Sequence, residues 1–181
     1  LWSGRPVSRD GPLFPLHDVS VAPLPSRPGG PPIVVAGRKG PAMRRAATLG
    51  DGWMPFLYSP RNYRESVATI KSHAASIGRD LSTFEWMCFV YVSVQDDPRV
   101  ARERALDYVS EGEVGDRGHF EALIDRVSVT GAPEQVARRL QAFVDAGARH
   151  FVVACCDRAG PLPTAARVLG EVVPLLSVPA G

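Results

Sequence analysis

Cysteine is scarce in this chain of 181 residues, and no long apolar run occurs in it. Three cysteines, two of them adjacent at Cys155 and Cys156, do not make the paired framework of a disulfide-stapled secreted domain. No apolar run approaches the about 20 residues that cross a bilayer, and the opening residues do not resemble a signal peptide. We therefore expect a cytoplasmic protein that does not enter a membrane.

Excess charge and metal-ligand motifs are missing as well. The 21 basic and 19 acidic residues leave a net charge of +2, and both signs are mixed along the chain. This balance argues against nucleic acid or an anionic membrane as the partner. The four histidines are not spaced with one another, with cysteine or with carboxylates in a ligand pattern, so no metal site is predicted.

Proline is abundant in residues 1–31, which include seven prolines. Such a density removes backbone N–H groups and interrupts helices, so we expect no regular element there. The apolar side chains in this segment favour packing along a surface over disorder. The chain also opens at Leu1 without a methionine, which suggests the interior of a longer protein.

The most informative stretch lies between Ile33 and Pro41. Ile33-Val34-Val35-Ala36 is a short apolar run rich in β-branched residues, typical of a strand buried on both faces. Gly37-Arg38-Lys39-Gly40 follows, and Pro41 suits the first turn of a helix. A glycine loop at a helix N-terminus, with two cations, predicts a phosphate site. The alternative is an ordinary turn whose glycines only relieve backbone strain.

Strands and helices alternate along the rest of the chain. An α/β protein with a parallel sheet is the fold class that this order predicts. Four strands do not close a barrel, so we expect about the last four βα units of a (β/α)₈ TIM barrel. A Rossmann fold is less favoured because no G-x-G-x-x-G motif is present. The expected elements are strands at 33–36, 52–55, 84–94 and 150–155, helices from Pro41, Pro60, Pro98, Pro133 and Pro161 or Thr164, and a loop-like 113–131 with a short helix near Phe120.

Some single residues permit two interpretations. Asp51 could contact a ligand or cap a turn, and Trp53 could face a barrel mouth or fill the core. Cys155 and Cys156 stand at a strand end, but no base is identifiable that would activate a thiol, so core or pocket-wall roles are favoured. Arg158 could contact an anion or form a surface ion pair.

Several segments together resemble the bacterial luciferase-like monooxygenase family, especially its deazaflavin (F420)-dependent oxidoreductase branch. The family pattern P-P-I-x-V-G-G-R-S-x-x-A-L-R-R-A-A is similar to the stretch from Pro31 to Ala47, and its L-G-D-G-W matches Leu49-Gly50-Asp51-Gly52-Trp53. Its G-T-P-E-Q-V resembles the residues from Gly131 to Val136. The departures from the pattern are Ala36 for a glycine, Lys39 for a serine, and Ala132 for a helix-capping Thr or Ser.

The resemblance implies a flavin- or deazaflavin-dependent oxidoreductase or monooxygenase acting on a small molecule. F420 is the first choice of cofactor and FMN the second, and a homodimer is common in the family. The cofactor-binding residues implied are Ala36, Gly37, Arg38, Lys39, Asp51 and Trp53. Residues 1–31 would be the proline-rich insertion before strand five, and residues 32–181 the C-terminal half of the barrel. Catalytic residues are not identified, because most would belong to strands outside this chain.

Two further alternatives remain open. In the first, the barrel is kept but binds a sugar phosphate, and in the second the chain is not an active enzyme. A half barrel exposes unpaired strand edges, which favour self-association. The chain could therefore be an inactive, truncated relative or a self-associating half barrel.

Overall fold

In a computed structural model, residues 1–112, 117–158 and 160–177 are described, and the chain divides into two units, Leu1–Ile33 and Val34–Gly181. In the first unit, strand β1 (Val7–Arg9) pairs antiparallel with β2 (Leu16–Val19), with an irregular register. The expectation of no regular element in this segment was therefore wrong. Both strands fit between prolines, and neither is long enough to show an alternating pattern.

The second unit is built on a five-stranded parallel sheet. The long strand β5 lies at the centre of this sheet, and β4 pairs with the first residues of β5. Strands β6 and β7 both pair with Tyr91 and Val92 of β5, so they lie on opposite edges of β5. Strand β3 pairs with β4. The strands of this sheet are β3 (Val34–Ala36), β4 (Gly52–Met54), β5 (Glu85–Val94), β6 (Ser128–Gly131) and β7 (His150–Cys155).

Helices follow the strands much as the sequence predicts. The four longest each have a proline at a first-turn position, where no N–H is needed. At α6, Ala132 provides no side-chain cap, but its backbone N–H donates to Gln135 Oε1 at 3.0 Å. The helices are α1 (Gly40–Leu49), α2 (Pro60–Ser76), α3 (Pro98–Gly112), α4 (Arg117–Glu121), α5 (Ile124–Val127), α6 (Pro133–Asp145) and α7 (Leu162–Arg167), the last continued by a π-helical turn, Val168–Val172, and a 3₁₀ turn, Val173–Leu175.

Strand β6 is the element that the prediction of four strands missed. It has only four residues, includes a serine, a threonine and a glycine, and directly follows α5. Its extended conformation comes from pairing with the end of β5, which no local pattern indicates. The loop expected at 113–131 is largely replaced by α4, α5 and β6, while Gly115 lies outside the described residues.

Two hydrophobic clusters pack on β5. Val90, Val92 and Val94 belong to the larger cluster, whose biggest fully buried side chains include Trp53 and Tyr63. Tyr91 belongs to the second cluster, formed mainly with α3, α4 and α5. Successive residues of a strand point to opposite faces, so helices pack on both faces of β5. Strand β3 is not covered in this way, since Val34 and Ala36 are exposed. Because the strands are parallel, the loops after β3 and β4 meet at one edge.

No helix within the described ranges combines the length and apolar character that a transmembrane span requires.

Candidate functional site

The loop between β3 and α1 turns sharply at Gly37. Its φ of +121° is a conformation that side chains rarely adopt, and a Cβ added there would lie 2.7 Å from Ala42 Cβ. The Lys39 carbonyl accepts hydrogen bonds from the N–H groups of Ala42, at 2.9 Å, and Met43, at 3.2 Å, and so starts the helix. The chain thus enters α1 through a turn that only glycine fits without strain.

The side chain of Trp53 holds this turn through a hydrogen bond. Its side chain is fully buried, and its indole Nε1 donates a hydrogen bond of 2.8 Å to the Gly37 carbonyl. The indole also packs against the rings of Tyr58 and Tyr63, with centroids 6.0 and 5.2 Å away. The core interpretation of Trp53 is therefore confirmed, and the residue reaches the loop through the backbone of Gly37.

Arg38 joins the loop after β3 to the loop after β4. Its Nη1 donates a 3.1 Å hydrogen bond to the Leu57 carbonyl, and its guanidinium carbon lies 5.3 Å from the centre of the Phe56 ring. Leu57 adopts a positive φ of +50°, which is uncommon for a residue with a large side chain. These contacts fix the Arg38 side chain across the site.

A cleft of about 680 Å³ opens beside the loop and is called the loop cleft below. Three cations line it, and its lining includes no carboxylate. The amino end of α1 also faces this region and adds the partial positive charge of the helix dipole. The lining residues are Ala36, Gly37, Arg38, Lys39, Pro41, Ala42, Arg45, Tyr58 and Asn62.

A second cleft of similar volume, about 680 Å³, adjoins the first and shares Arg38, Tyr58 and Asn62 with it. The Tyr58 hydroxyl is 2.8 Å from Ser66 Oγ, which fixes the ring at the boundary of the two clefts. Aromatic, aliphatic, charged and polar side chains line this second cleft, which we call the side cleft. Its remaining residues are Phe56, Leu57, Ser59, Arg61, Glu65, His119, Phe120, Leu123, Arg126 and Val127.

The structure brings together most of the residues predicted for cofactor binding. Ala36 to Lys39 all line the loop cleft, and Trp53 lies directly beneath it. Asp51 is separated from them, because Ala36 is in register with Met54 at the carboxyl end of the strands, whereas Asp51 precedes β4. At that opposite end, its carbonyl accepts a 2.9 Å hydrogen bond from the Glu85 N–H.

Three polar residues of the loop cleft were not found from the sequence: Arg45, Tyr58 and Asn62. Arg45 is one turn along α1 from the glycine turn, on the side of the helix that reaches the loop. Tyr58 and Asn62 belong to the segment after β4, the neighbour of β3 in the sheet. The order of adjacent parallel strands was the signal that could have indicated them.

The cysteines at the end of β7 lack the lowered pKa of a nucleophilic thiol. Cys156 is buried, and burial raises its thiol pKa to about 12. Cys155 is half-buried, and burial, with a contribution from the Asp157 charge, raises its pKa as well. A thiol with a raised pKa carries little thiolate at neutral pH. The core interpretation is confirmed for Cys156, which belongs to the second hydrophobic cluster, and stays a prediction for Cys155. Arg158 forms ion pairs with Glu111 and Asp107.

Several known proteins are similar to this chain in sequence. The family model described as luciferase-like monooxygenase matches residues 1–150. An F420-dependent glucose-6-phosphate dehydrogenase of Kribbella flavida is 30% identical over 177 residues, which cover 84% of this chain and 51% of the relative. The chain spans about half the length of the curated relatives that it matches over most of its own length.

Solved structures give the same fold at low sequence identity. An F420-dependent secondary alcohol dehydrogenase in complex with an F420–acetone adduct superposes with a TM-score of 0.76 at 18% identity, covering 96% of this chain and 56% of that one. The FMN-bound oxygenating constituent of 3,6-diketocamphane monooxygenase from Pseudomonas putida gives 0.67 at 17% identity, covering 99% and 61%. These likenesses confirm the predicted fold class, an α/β sheet corresponding to about half of a (β/α)₈ barrel. Which half it forms stays a prediction. With the family model matching 150 of 181 residues, the chain belongs to the luciferase-like monooxygenase family.

Proposed function

We propose that the whole protein is an oxidoreductase that uses the deazaflavin F420, with FMN as the alternative cofactor. The loop cleft would hold the cofactor phosphate through Ala36, Gly37, Arg38 and Lys39. The observation that carries this proposal is a glycine turn at a helix N-terminus, in a cleft lined by three cations and no carboxylate.

The residues of the loop cleft fit a phosphate group. Lys39 stands at the N-cap position and makes no side-chain capping hydrogen bond, so the amino end of α1 keeps its attraction for an anion. Arg38 is held in place by the Leu57 carbonyl and needs little reordering to face a ligand. Lys39, where the family pattern has serine, replaces a hydroxyl contact with a full charge. Ala36 is exposed at the strand end.

The choice of F420 over FMN rests on the relatives. The curated relatives that match most of this chain include two F420-dependent glucose-6-phosphate dehydrogenases, whereas FMN is named for a structural neighbour at lower identity. When bound, either cofactor supplies redox chemistry at its ring system, and the protein supplies position and electrostatics.

The side cleft is our candidate for the substrate. It shares three lining residues with the loop cleft, so ligands in the two clefts would be neighbours. Aromatic and charged side chains together suit a small organic molecule with polar groups. We assign no catalytic residue, and Asp51 is left out of the proposed cofactor site because it lies at the other end of the strands.

Self-association is a second candidate property. Within the described residues, β3 pairs only with β4, and β7 only with β5, so the sheet has two open edges. Val34 on β3 is 37% exposed. Unpaired strand edges favour pairing with another chain. Light scattering would show a dimer or larger species at micromolar concentration if these edges pair, and a monomer if they do not.

Titration with F420 and with FMN, followed by absorbance and fluorescence, tests the proposed cofactor. We expect saturable binding at micromolar concentration, tighter for F420. Tighter binding of FMN would reverse the order of the two cofactors. Binding of neither at micromolar concentration would reject the proposal.

A further inference from the structure

A third cleft, of about 420 Å³, lies where α3, α5, β6 and α6 meet. It shares no lining residue with the loop cleft or the side cleft. Three arginines line it together with one carboxylate, and we call it the arginine cleft. Its lining residues are Pro98, Arg99, Arg102, Asp125, Ser128, Thr130, Gln135 and Arg139.

Arg139 is the residue that the rest of the protein does not explain. Its Nη2 donates a 2.6 Å hydrogen bond to the Arg126 carbonyl, but its Nε is buried and has no hydrogen-bond partner. In the described parts of the chain, no carboxylate pairs with it. Leaving a charged donor unsatisfied away from water is costly, and burial accordingly lowers the pKa of Arg139.

The other two arginines are partly neutralised. Arg102 donates from Nε to Asp125 at 2.9 Å and from Nη2 to the Glu121 carbonyl at 3.0 Å. Arg99 pairs with Asp97 at 3.3 Å and is 92% exposed. Each of these two guanidinium groups therefore has a carboxylate beside it. Among the residues that the structure describes, Arg139 has none, so the cleft lining keeps an excess of positive charge.

Backbone and hydroxyl groups add to the attraction for an anion. The amino ends of α3 and α6 both flank the cleft, through Pro98 and Gln135, and helix amino ends carry partial positive charge. Two carboxylates offset part of this charge: Glu134 lies in the first turn of α6, and Asp97 accepts a 2.8 Å hydrogen bond from the Arg99 N–H at the start of α3. Thr130 is half-buried at the cleft wall.

We propose that the arginine cleft is a second anion site, in which Arg139 and Arg102 bind the phosphate group of a small molecule. Planar guanidinium groups match phosphate oxygens with paired, charge-assisted hydrogen bonds. The cleft is roomier than a phosphate ion requires, so the group would belong to a larger ligand.

Inorganic phosphate is the probe for this site, and the titration should follow the Arg Nε–H signals by nitrogen-15 NMR, with calorimetry for the affinity. Arg38→Ala/Lys39→Ala serves as the background, because it removes the cations of the loop cleft. We expect phosphate binding to persist in that background and to shift the Arg139 Nε–H signal. If the Arg38→Ala/Lys39→Ala protein no longer binds phosphate, the phosphate binds in the loop cleft and the proposal is overturned.

Arg139→Met and Arg138→Met make a matched pair in the same background. Arg138 is the neighbouring residue of α6, is exposed and does not line the arginine cleft. Loss of one charged hydrogen-bonding group predicts at least about tenfold weaker phosphate binding for Arg139→Met and an unchanged affinity for Arg138→Met. If Arg139→Met does not fold, Arg102→Met gives the same test. Equal affinities in the arginine variant and its control, or no saturable binding of phosphate, would overturn the proposal.

Discussion

The indole Nε1 of Trp53 lies 2.8 Å from the carbonyl oxygen of Gly37, so a fully buried side chain of β4 holds the turn that ends β3. The turn itself lines the loop cleft, whereas Trp53, which supports it, is part of the hydrophobic core. Core stability and the geometry of the loop cleft are thereby coupled through one hydrogen bond.

Trp53→Phe should weaken both folding and cofactor binding. The change leaves the Gly37 carbonyl without its donor and removes part of a buried ring, which predicts a loss of about 1–3 kcal/mol in the free energy of unfolding. Urea denaturation and an F420 titration measure the two effects. Trp86→Phe is the control, because Trp86 is half-buried near the start of β5. If the Trp53→Phe protein binds F420 as tightly as wild type, the core and the loop cleft are not coupled through this hydrogen bond.

Gly37→Ala should be costly, whereas Gly40→Ala should not. The first change places a Cβ 2.7 Å from Ala42 Cβ on a backbone at φ +121°, and strain of this kind costs about 1–3 kcal/mol. Apart from its chain neighbours, no heavy atom lies within 4 Å of a Cβ at Gly40. That substitution meets only the milder restriction on a residue that precedes proline, so it should cost less than Gly37→Ala. Thermal unfolding of both variants compares them, and equal melting temperatures would show that the turn relaxes freely.

Much of the fold was predictable because its signals are local. Helices α1, α2 and α6 have a proline in the first turn and carry apolar residues at helical spacing, and β5 is a long run of aromatic and β-branched residues. Strand β6 was not predictable, since Ser128 to Gly131 become a strand only by pairing with β5. The same holds for the pairing of β1 with β2.

The residues of the candidate site also divide into those that the sequence predicts and those that only the tertiary structure brings together. Gly37, Arg38 and Lys39 were predicted from a glycine loop that precedes a helix, a pattern contained in nine consecutive residues from Ile33 to Pro41. Arg45, Tyr58 and Asn62 reach the loop cleft only through tertiary packing. Asp51 was included because of its motif, yet the register of β3 and β4 places it at the other end of the strands.

Arg79→Met should destabilise α1 from its carboxyl end. Arg79 donates to the carbonyls of Ala46 at 3.3 Å, Ala47 at 3.0 Å and Gly50 at 2.6 Å. Helix C-terminal carbonyls need such partners, and their loss predicts a decrease of about 1–3 kcal/mol in the free energy of unfolding. Arg64→Met, at an exposed position of α2, is the control. If both variants unfold at the same urea concentration, the hydrogen bonds of Arg79 do not stabilise the helix.

Stability should fall at alkaline pH because of two buried thiols. Burial raises the pKa of Cys88 and of Cys156 from 9.0 to about 12. The unfolded state therefore loses thiol protons above pH 9 that the folded state keeps, so their contribution is fully present below pH 9 and is lost as the pH rises towards 12. The slope is about 1.4 kcal/mol per pH unit for each thiol.

Urea denaturation between pH 8 and 11 in reducing buffer measures this dependence. Cys88→Ala/Cys156→Ala should be less stable at pH 8 but should show a shallower decline. Burial also raises the pKa of Tyr63, and that contribution remains in both proteins. An identical decline in the two proteins would contradict the assignment to the thiols.

The contribution of the phosphate group itself tests the central claim most directly. Affinity is compared for FMN and riboflavin, and for F420 and its phosphate-free deazaflavin riboside, in wild type, in Arg38→Ala/Lys39→Ala and in the control Arg44→Ala/Arg64→Ala. Both control positions are exposed and line neither the loop cleft nor the side cleft.

We predict that wild type and the control bind the phosphate-bearing form more tightly than its phosphate-free counterpart, and that Arg38→Ala/Lys39→Ala reduces this preference at least about tenfold. A preference of equal size in all three proteins would contradict a phosphate site at the loop after β3.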